Sequence, residues 1–295
     1  MRILSDMTTS TARPLGPLLH PRVTVLVRPS GVVQLGWDPE RAMLLDPPGL
    51  DTAAVLGFLR LLDGMRSRSE ICAEADGHGL TAEQAGQLLD EIEAAGLLQL
   101  PREPRYEITA VRVHGLGPLS DAVTAGLRGL GVRPTRSRSY HPDAPKPRER
   151  VDLMVLTDTV VIDPRLVADL VVNRIPHLQV RVRDGKGVIG PFVLPGETSC
   201  LRCADLIKAD YDADWPHLAA QLLDRVGHAS PAAIAATAAL ALTELEAIME
   251  CSTHRCPATL NTTLELDLDS HQLQHRYWEP HPRCGCRRIG AALAT

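Results

Sequence analysis

The sequence predicts an α/β protein in two parts, and three observations carry that reading. Residues 22–100 place short β-branched runs before three amphipathic helical patterns. From Ile108 onward, strand-like and helix-like segments alternate, and the first strand runs into Gly115-Leu-Gly117. Two close cysteine pairs, Cys200/Cys203 and Cys284/Cys286, fall in the second part. A chain of 295 residues suits one large domain or two unequal ones. The expected boundaries are a flexible tail over 1–20, a winged-helix-like module over 21–100, a linker over 101–105 and an α/β domain over 106–295.

Val23–Val27 and Val32–Leu35 read as strands joined by a turn at Arg28-Pro-Ser-Gly31. A third short strand covers Ala42–Leu45 and stops at Asp46-Pro-Pro-Gly49. Asp51 suits the cap of a first helix, and Ser67 or Ser69 the cap of a second around Ile71. Thr81-Ala-Glu-Gln84 is a capping box, with Leu88, Leu89 and Ile92 as the apolar face behind it and Gly96 as the stop. Leu97–Leu100 is a closing strand. In the second part, strands are expected at Ile108–Val113, Val151–Leu156, His177–Val182 and Gly185–Leu194, with a polar, Pro-rich loop over Arg138–Arg150. Helices are expected at Ser120–Leu130, Leu166–Asn173 and Ala232–Met249, and a hairpin over Thr263–Tyr277.

Composition excludes several classes. Hydrophobic residues are 44% and charged residues 23%, so the chain can build a core and is not intrinsically disordered. A net charge of −5 argues against a general nucleic-acid binder, which needs a basic face. The helix Thr81–Ala95 carries Glu83, Asp90, Glu91 and Glu93 and no Lys or Arg, so as a DNA-recognition helix it would repel phosphate. The N-terminus lacks the apolar run of a secretory signal. The apolar stretch Pro231–Thr243 ends at Glu244 and Glu246, too short to cross a bilayer. A cytoplasmic protein without membrane partners is the expectation, and there seven cysteines serve as thiols or metal ligands rather than disulfides.

The chemistry concentrates in sulfur. Cys200-Leu-Arg-Cys203 and Cys284-Gly-Cys286 can each present two thiolates from a tight turn. Four thiolates without a carboxylate favour a closed, tetrahedral, structural Zn²⁺ site that ties the chain end to its middle. A redox role for the C-x-x-C pair is the alternative. It is disfavoured because Cys200 does not follow an obvious helix start. Cys251 and Cys256 flank His254 and read as loop or core thiols before a second metal site, and Cys72 reads as core. Gly115-Leu-Gly117-Pro-Leu-Ser120 has the strand–loop–helix context of a nucleotide loop. Ser120 replaces the third glycine, Pro118 removes an N–H, and no ribose-binding acid follows. Asp158 is the one carboxylate placed to hold Mg²⁺. Gly115, Gly117 and Asp158 therefore read as a vestigial nucleotide loop.

Pro195-Gly-Glu-Thr-Ser-Cys-Leu-Arg-Cys203, Asp205, Asp210, Asp214-Trp-Pro216 and His281-Pro-Arg-Cys-Gly-Cys286 together resemble the ThiF-like cyclodehydratase "C" proteins of thiazole/oxazole-modified peptide biosynthesis. The resemblance covers nearly the whole chain. It implies a PqqD-like winged-helix domain before a ThiF/MoeB-like, Rossmann-type α/β domain, with Cys200, Cys203, Cys284 and Cys286 as zinc ligands. It implies a non-catalytic subunit that binds the leader of a ribosomally made precursor, as in bacteriocin maturation. A YcaO-type cyclodehydratase partner would then use ATP to form azoline rings. The rival expectation is an active adenylating enzyme acting on a peptide or small-protein carboxylate. A leader would add as a strand along residues 41–45, with Met43, Leu45, Leu88, Glu91 and Ile92 as the lining of its groove. The Ala-rich helix near 232–249 is expected at a homodimer interface.

Overall fold

The computed structural model describes residues 15–101, 108–138, 140, 150–250 and 256–287. Residues 1–14 of the expected tail, linker residues 102–105, loop residues 141–149, Cys251 and His254 lie outside the described residues. The chain divides into two compact units, Met1–Glu103 and Pro104–Thr295.

The first unit opens with β1 (Leu18–Leu19), followed by β2 (Val25–Val27), β3 (Val33–Leu35) and β4 (Met43–Leu45). The last three make an antiparallel sheet in that order, so β4 is an edge strand. Period-2 alternation decides the faces. Val33, Leu35 and Leu45 enter the core, while Leu26 and Leu44 point outward and are 40% and 48% exposed. Three helical stretches follow: α1 (Thr52–Leu61), α2 (Arg68–Glu74) with a 3-10 turn behind it, and α3 (Ala82–Ala94). Asp51 accepts a hydrogen bond from the Ala54 N–H at 2.7 Å and caps α1. Thr81 and Gln84 satisfy each other's backbone N–H groups at the start of α3. The core gathers Phe58, Ile71, Leu80, Leu89 and Ile92 against the inner face of the sheet. β5 (Leu98–Gln99) pairs antiparallel with β1. That pairing corrects one expectation: residues 15–20 are not tail. Leu15 and Gly16 donate backbone N–H groups to Gly64 O, and Pro17 is buried. A Pro-rich, polar-looking segment hid two leucines that complete a ladder.

The second unit is built on a seven-stranded sheet. Its elements are β6 (Val111–His114), α4 (Pro118–Gly129), β7 (Thr135–Ser137), β8 (Leu153–Thr157), α5 (Pro164–Val172), β9 (His177–Arg183) and β10 (Lys186–Val193). They continue with α6 (Leu201–Tyr211), α7 (Trp215–Gln221), α8 (Pro231–Met249), β11 (Thr262–Asp267) and β12 (Gln272–Tyr277). The strand order is β12-β11-β10-β9-β8-β6-β7. β7, β6, β8 and β9 run parallel, as in a Rossmann-like fold; β10, β11 and β12 extend the sheet antiparallel. β8 is buried at all five positions, as a strand covered on both faces must be.

Helix α8 is, among the described residues, the one helix long and apolar enough to cross a membrane. It spans 19 residues, longer than the apolar run that ends at Thr243. In the fold it packs on α4, β9 and β10. A small residue of α4 serves that packing: a Cβ on Gly126 would meet Leu242 Cδ1 of α8 at 2.1 Å. Glu244 turns inward and its Oε2 accepts from the Thr259 N–H and Oγ1 at 2.9 and 2.8 Å.

Asp152 ties the leads of two central strands together. Its Oδ2 accepts from the N–H groups of Thr109 and Ala110, both at 2.9 Å, and its Oδ1 from Arg150 Nε at 2.5 Å. Burial raises its pKa, but the Thr109 and Ala110 N–H groups and Arg150 outweigh burial and hold the carboxyl at about 2. A depressed folded-state value contributes stability above the unfolded pKa of about 3.9, and that stability is lost as pH falls toward the folded value. Chemical unfolding followed from pH 5 down to pH 2 should therefore show a fall that Asp152→Asn flattens. Parallel curves for the two proteins would contradict this role.

Candidate metal centre, glycine loop and sheet edge

The four paired cysteines meet at one point. β10 leads through Leu194-Pro-Gly196 to α6, whose N-cap is Cys200 and whose first turn carries Cys203. Gly196 takes φ +88°, a left-handed turn that only glycine adopts freely. Thr198 Oγ1 accepts from the Leu194 N–H at 2.9 Å, and Asn261 Oδ1 from the Ser199 N–H at 2.7 Å. These bonds aim both thiols. The expectation that Cys200 does not start a helix is therefore corrected: it is the N-cap, but its side chain makes no capping bond, so the usual Ser/Thr/Asp/Asn signal is missing.

The second pair arrives from the chain end. Past β12, Trp278 is buried and its Nε1 donates to Thr263 Oγ1 at 2.7 Å. Arg283 N–H donates to His281 Nδ1 at 3.1 Å, which leaves Nε2 carrying the proton toward Asp210 Oδ2 at 2.8 Å. The Arg283 guanidinium binds the other oxygen of Asp210. Asp210 on α6 thus clamps the segment that presents Cys284 and Cys286.

The four Sγ atoms lie within 4.8 Å of one another. Cys200–Cys203 is 3.7 Å, Cys200–Cys284 is 3.6 Å and Cys203–Cys286 is 3.6 Å. A tetrahedron of sulfurs around Zn²⁺ at about 2.3 Å has edges of about 3.8 Å, while a disulfide needs about 2.05 Å. The spacing fits a tetrahedral metal and is too long for a disulfide. Hydrogen bonds from Cys200 and Cys286 hold the Cys203 thiol far below its ordinary value, and the same contacts push Cys200 far up. The cluster stabilises one thiolate and resists a second, a conflict that a divalent cation removes. Cys256 is exposed and free, apart from this site, and Cys72 packs against the core of the first unit.

The glycine loop sits between β6 and α4, and its occupant is a side chain. Asp158 Oδ1 accepts from the Leu119 N–H at 3.0 Å and Oδ2 from the Ser120 N–H at 3.2 Å. Asp158 is 2% exposed and takes φ +67° at the end of β8. A Cβ on Gly117 would lie 2.7 Å from Asp158 Oδ1, and one on Gly115 would lie 2.2 Å from Thr157 Oγ1. Both glycines are therefore explained by the close approach of β8, without a phosphate.

The expected peptide groove divides differently. Leu45, Leu88 and Ile92 belong to the core, with exposures of 2%, 4% and 0%. They are fillers of that core and cannot line a groove. Met43 is half-buried and Glu91 exposed. The principal helix neighbour of the sheet is α1, which packs on β3, whereas α3 packs on α2 and the 3-10 turn. Arg68 of α2 bonds Asp90 at 2.5 Å and Glu93 at 3.5 Å, tempering the acidic side of α3.

Among the described residues, no strand pairs with the outer edge of β4. Gly36 N–H donates to Thr24 O and Arg28 N–H to Val32 O, which sets the alternation along β3. Gln34 therefore bonds toward β2, and Val33 and Leu35 bond toward β4 opposite Leu45 and Met43. By the same alternation, the N–H and C=O of Leu44 point away from the sheet. Leu44 was not among the residues expected from the sequence; its signal was the period-2 pattern itself.

No protein-family profile matches the sequence, and no curated protein matches it. Solved structures do share the fold. MccB of E. coli, determined with MccA-N7isoASN, gives a TM-score of 0.59 at 13% identity, over 92% of this chain and 99% of its own. The same enzyme determined with ATP gives 0.58 at 12% identity. The heterocyclase TruD gives 0.58 at 19% identity, over 92% of this chain and 43% of its own. The chain thus spans about two fifths of that heterocyclase's length and the whole of MccB's.

Proposed function

We propose that this chain binds the leader of a ribosomally made precursor peptide and presents it to a YcaO-type, ATP-dependent cyclodehydratase that forms thiazoline or oxazoline rings. The observation that carries the reading is the open β4 edge, with the Leu44 backbone turned outward. An extended peptide gains main-chain hydrogen bonds there, and its side chains meet Leu44 on the outer face. In this reading the first unit is a PqqD-like winged-helix module. The second holds structural Zn²⁺ at Cys200, Cys203, Cys284 and Cys286 and docks the partner. Tethering raises substrate concentration at the partner without any bond chemistry here.

A second reading, an adenylating enzyme, is favoured by the full-length match to MccB and by the MccB structure determined with ATP. Asp158 weighs against it. Its carboxylate takes the two N–H groups at the start of α4 that a phosphate would need, and repels an anion besides. ATP–pyrophosphate exchange by the purified chain separates the readings. No exchange and no saturable heat with Mg-ATP at micromolar nucleotide are expected. Asp158→Ala should cost about 1–2 kcal/mol of stability, as a lost helix cap does. A micromolar ATP site abolished by Asp158→Ala would establish the adenylating enzyme instead.

The homodimer belongs to the same proposal. Ala232, Ala235, Ala239, Thr243 and Glu246 lie on the solvent-facing side of α8, the opposite side being taken by α4 and the sheet. Light scattering at tens of micromolar protein should return twice the chain mass; a monomer mass would remove the dimer from the reading.

A further inference from the structure

The second unit contains a cationic cavity that the proposed function does not use. It lies between the sheet and α6, with a volume of about 30 Å³, and Gln179, Arg181, Asp205, Lys208, Thr263 and Trp278 are among its lining residues. The geometry follows from two periodicities. Gln179 and Arg181 are two apart on β9 and share one face. Asp205 and Lys208 lie one turn apart on α6, beyond the cysteines of the first turn.

The donors here outnumber the acceptors. Arg181 donates from one terminal nitrogen to Val160 O at 2.8 Å, while its Nε is buried with no partner among the described residues. Lys208 Nζ lies 3.1 Å from Asp205 Oδ1 and 4.5 Å from the centroid of the Trp215 ring, whose Nε1 is likewise buried and unpartnered. Arg183, the other nearby cation, is already paired with Glu265 at 2.8 Å. Around this partly open space three cations, Arg181, Arg183 and Lys208, face two carboxylates, Asp205 and Glu265. Burial lowers the pKa of Arg181 and Lys208, that of Arg181 to about 10, as expected of cations short of countercharge.

The geometry points to a binding site for a carboxylate contributed by a ligand. A water-sized atom needs at least 10–15 Å³ of such space, so the inner part of the cavity takes about two, and the two oxygens of a carboxylate match it. Phosphate brings two further oxygens that would have to stay outside this inner space. Arg181 supplies a guanidinium N–H matched to a carboxylate oxygen, Lys208 a second charge, and the Trp278 ring a wall for the carbon that bears the group.

Two of the three tryptophans flank this site, so their emission reports on it. In the full chain, with Trp37→Phe removing the background from the first unit, acetate should change the emission saturably at constant ionic strength. Phosphate and ATP should not. Arg181→Gln and Lys208→Gln should each weaken acetate roughly tenfold, the effect of losing one charge-assisted hydrogen bond. Lys208→Gln serves if Arg181→Gln does not fold, and cooperative unfolding checks either variant. N-acetylglycine compared with its amide tells a peptide-borne carboxylate from a free small acid: a peptide-borne one makes the acid bind more tightly than acetate. The inference fails if acetate has no saturable effect, if the folded Lys208→Gln variant responds like the parent, or if phosphate binds as tightly as acetate.

Discussion

Cys284→Ser should lower metal content and thermal stability together, and this is the largest stability effect expected of any single substitution here. Zinc is proposed to join two segments distant in sequence, the start of α6 and the residues after β12. With three thiolates left, the closed tetrahedral set is broken. Structural zinc sites contribute folding free energy outright, about 10–16 kcal/mol in small peptides. A loss of even ~4 kcal/mol corresponds to about 10 °C in Tm for a domain of this size. The Asp210 clamp on His281 and Arg283 should hold the segment near α6 after the metal is gone, so the variant should unfold earlier but still fold. Metal analysis should give one zinc per chain for the parent and substoichiometric zinc for the variant. A Cys200/Cys284 double serine variant that keeps full zinc would remove these residues from the site.

How much of this was legible in the sequence depends on the range of each interaction. The Thr81–Gln84 capping box and the alternating β11–β12 hairpin are local, and their residues announce them. The four cysteines were legible because C-x-x-C and C-x-C spacing restricts what thiols can do, even across more than 80 residues. Asp158 drew attention as a carboxylate after a strand, but its partners lie 38 and 39 residues earlier, so its capping role needed the fold. Leu45, Leu88 and Ile92 show the opposite limit. A groove-lining leucine and a core leucine share one apolar periodicity, and only packing separates them. Nothing local in the sequence marks Arg181; that it lines a cavity with α6 residues is a tertiary fact.

The sheet edge carries the second large effect. Leu44→Pro removes one N–H, the one that faces away from β3, and leaves both β3–β4 hydrogen-bonded pairs in place. Proline is tolerated at such edge positions for that reason. The fold should survive, with Tm changed by only a few degrees. Leader binding should weaken at least tenfold, because an added strand loses its central main-chain bond and meets the pyrrolidine ring. Salt should matter little, since backbone pairing and burial of Leu44 would supply the affinity. The decisive measurement is the affinity of a cognate precursor leader peptide. It should be made for the intact chain, for its Leu44→Pro variant and for residues 106–295 alone. The account predicts saturable binding to the intact chain, at least tenfold weaker binding to the folded variant, and none to the C-terminal fragment. Equal binding by Leu44→Pro, or binding by residues 106–295, would contradict it.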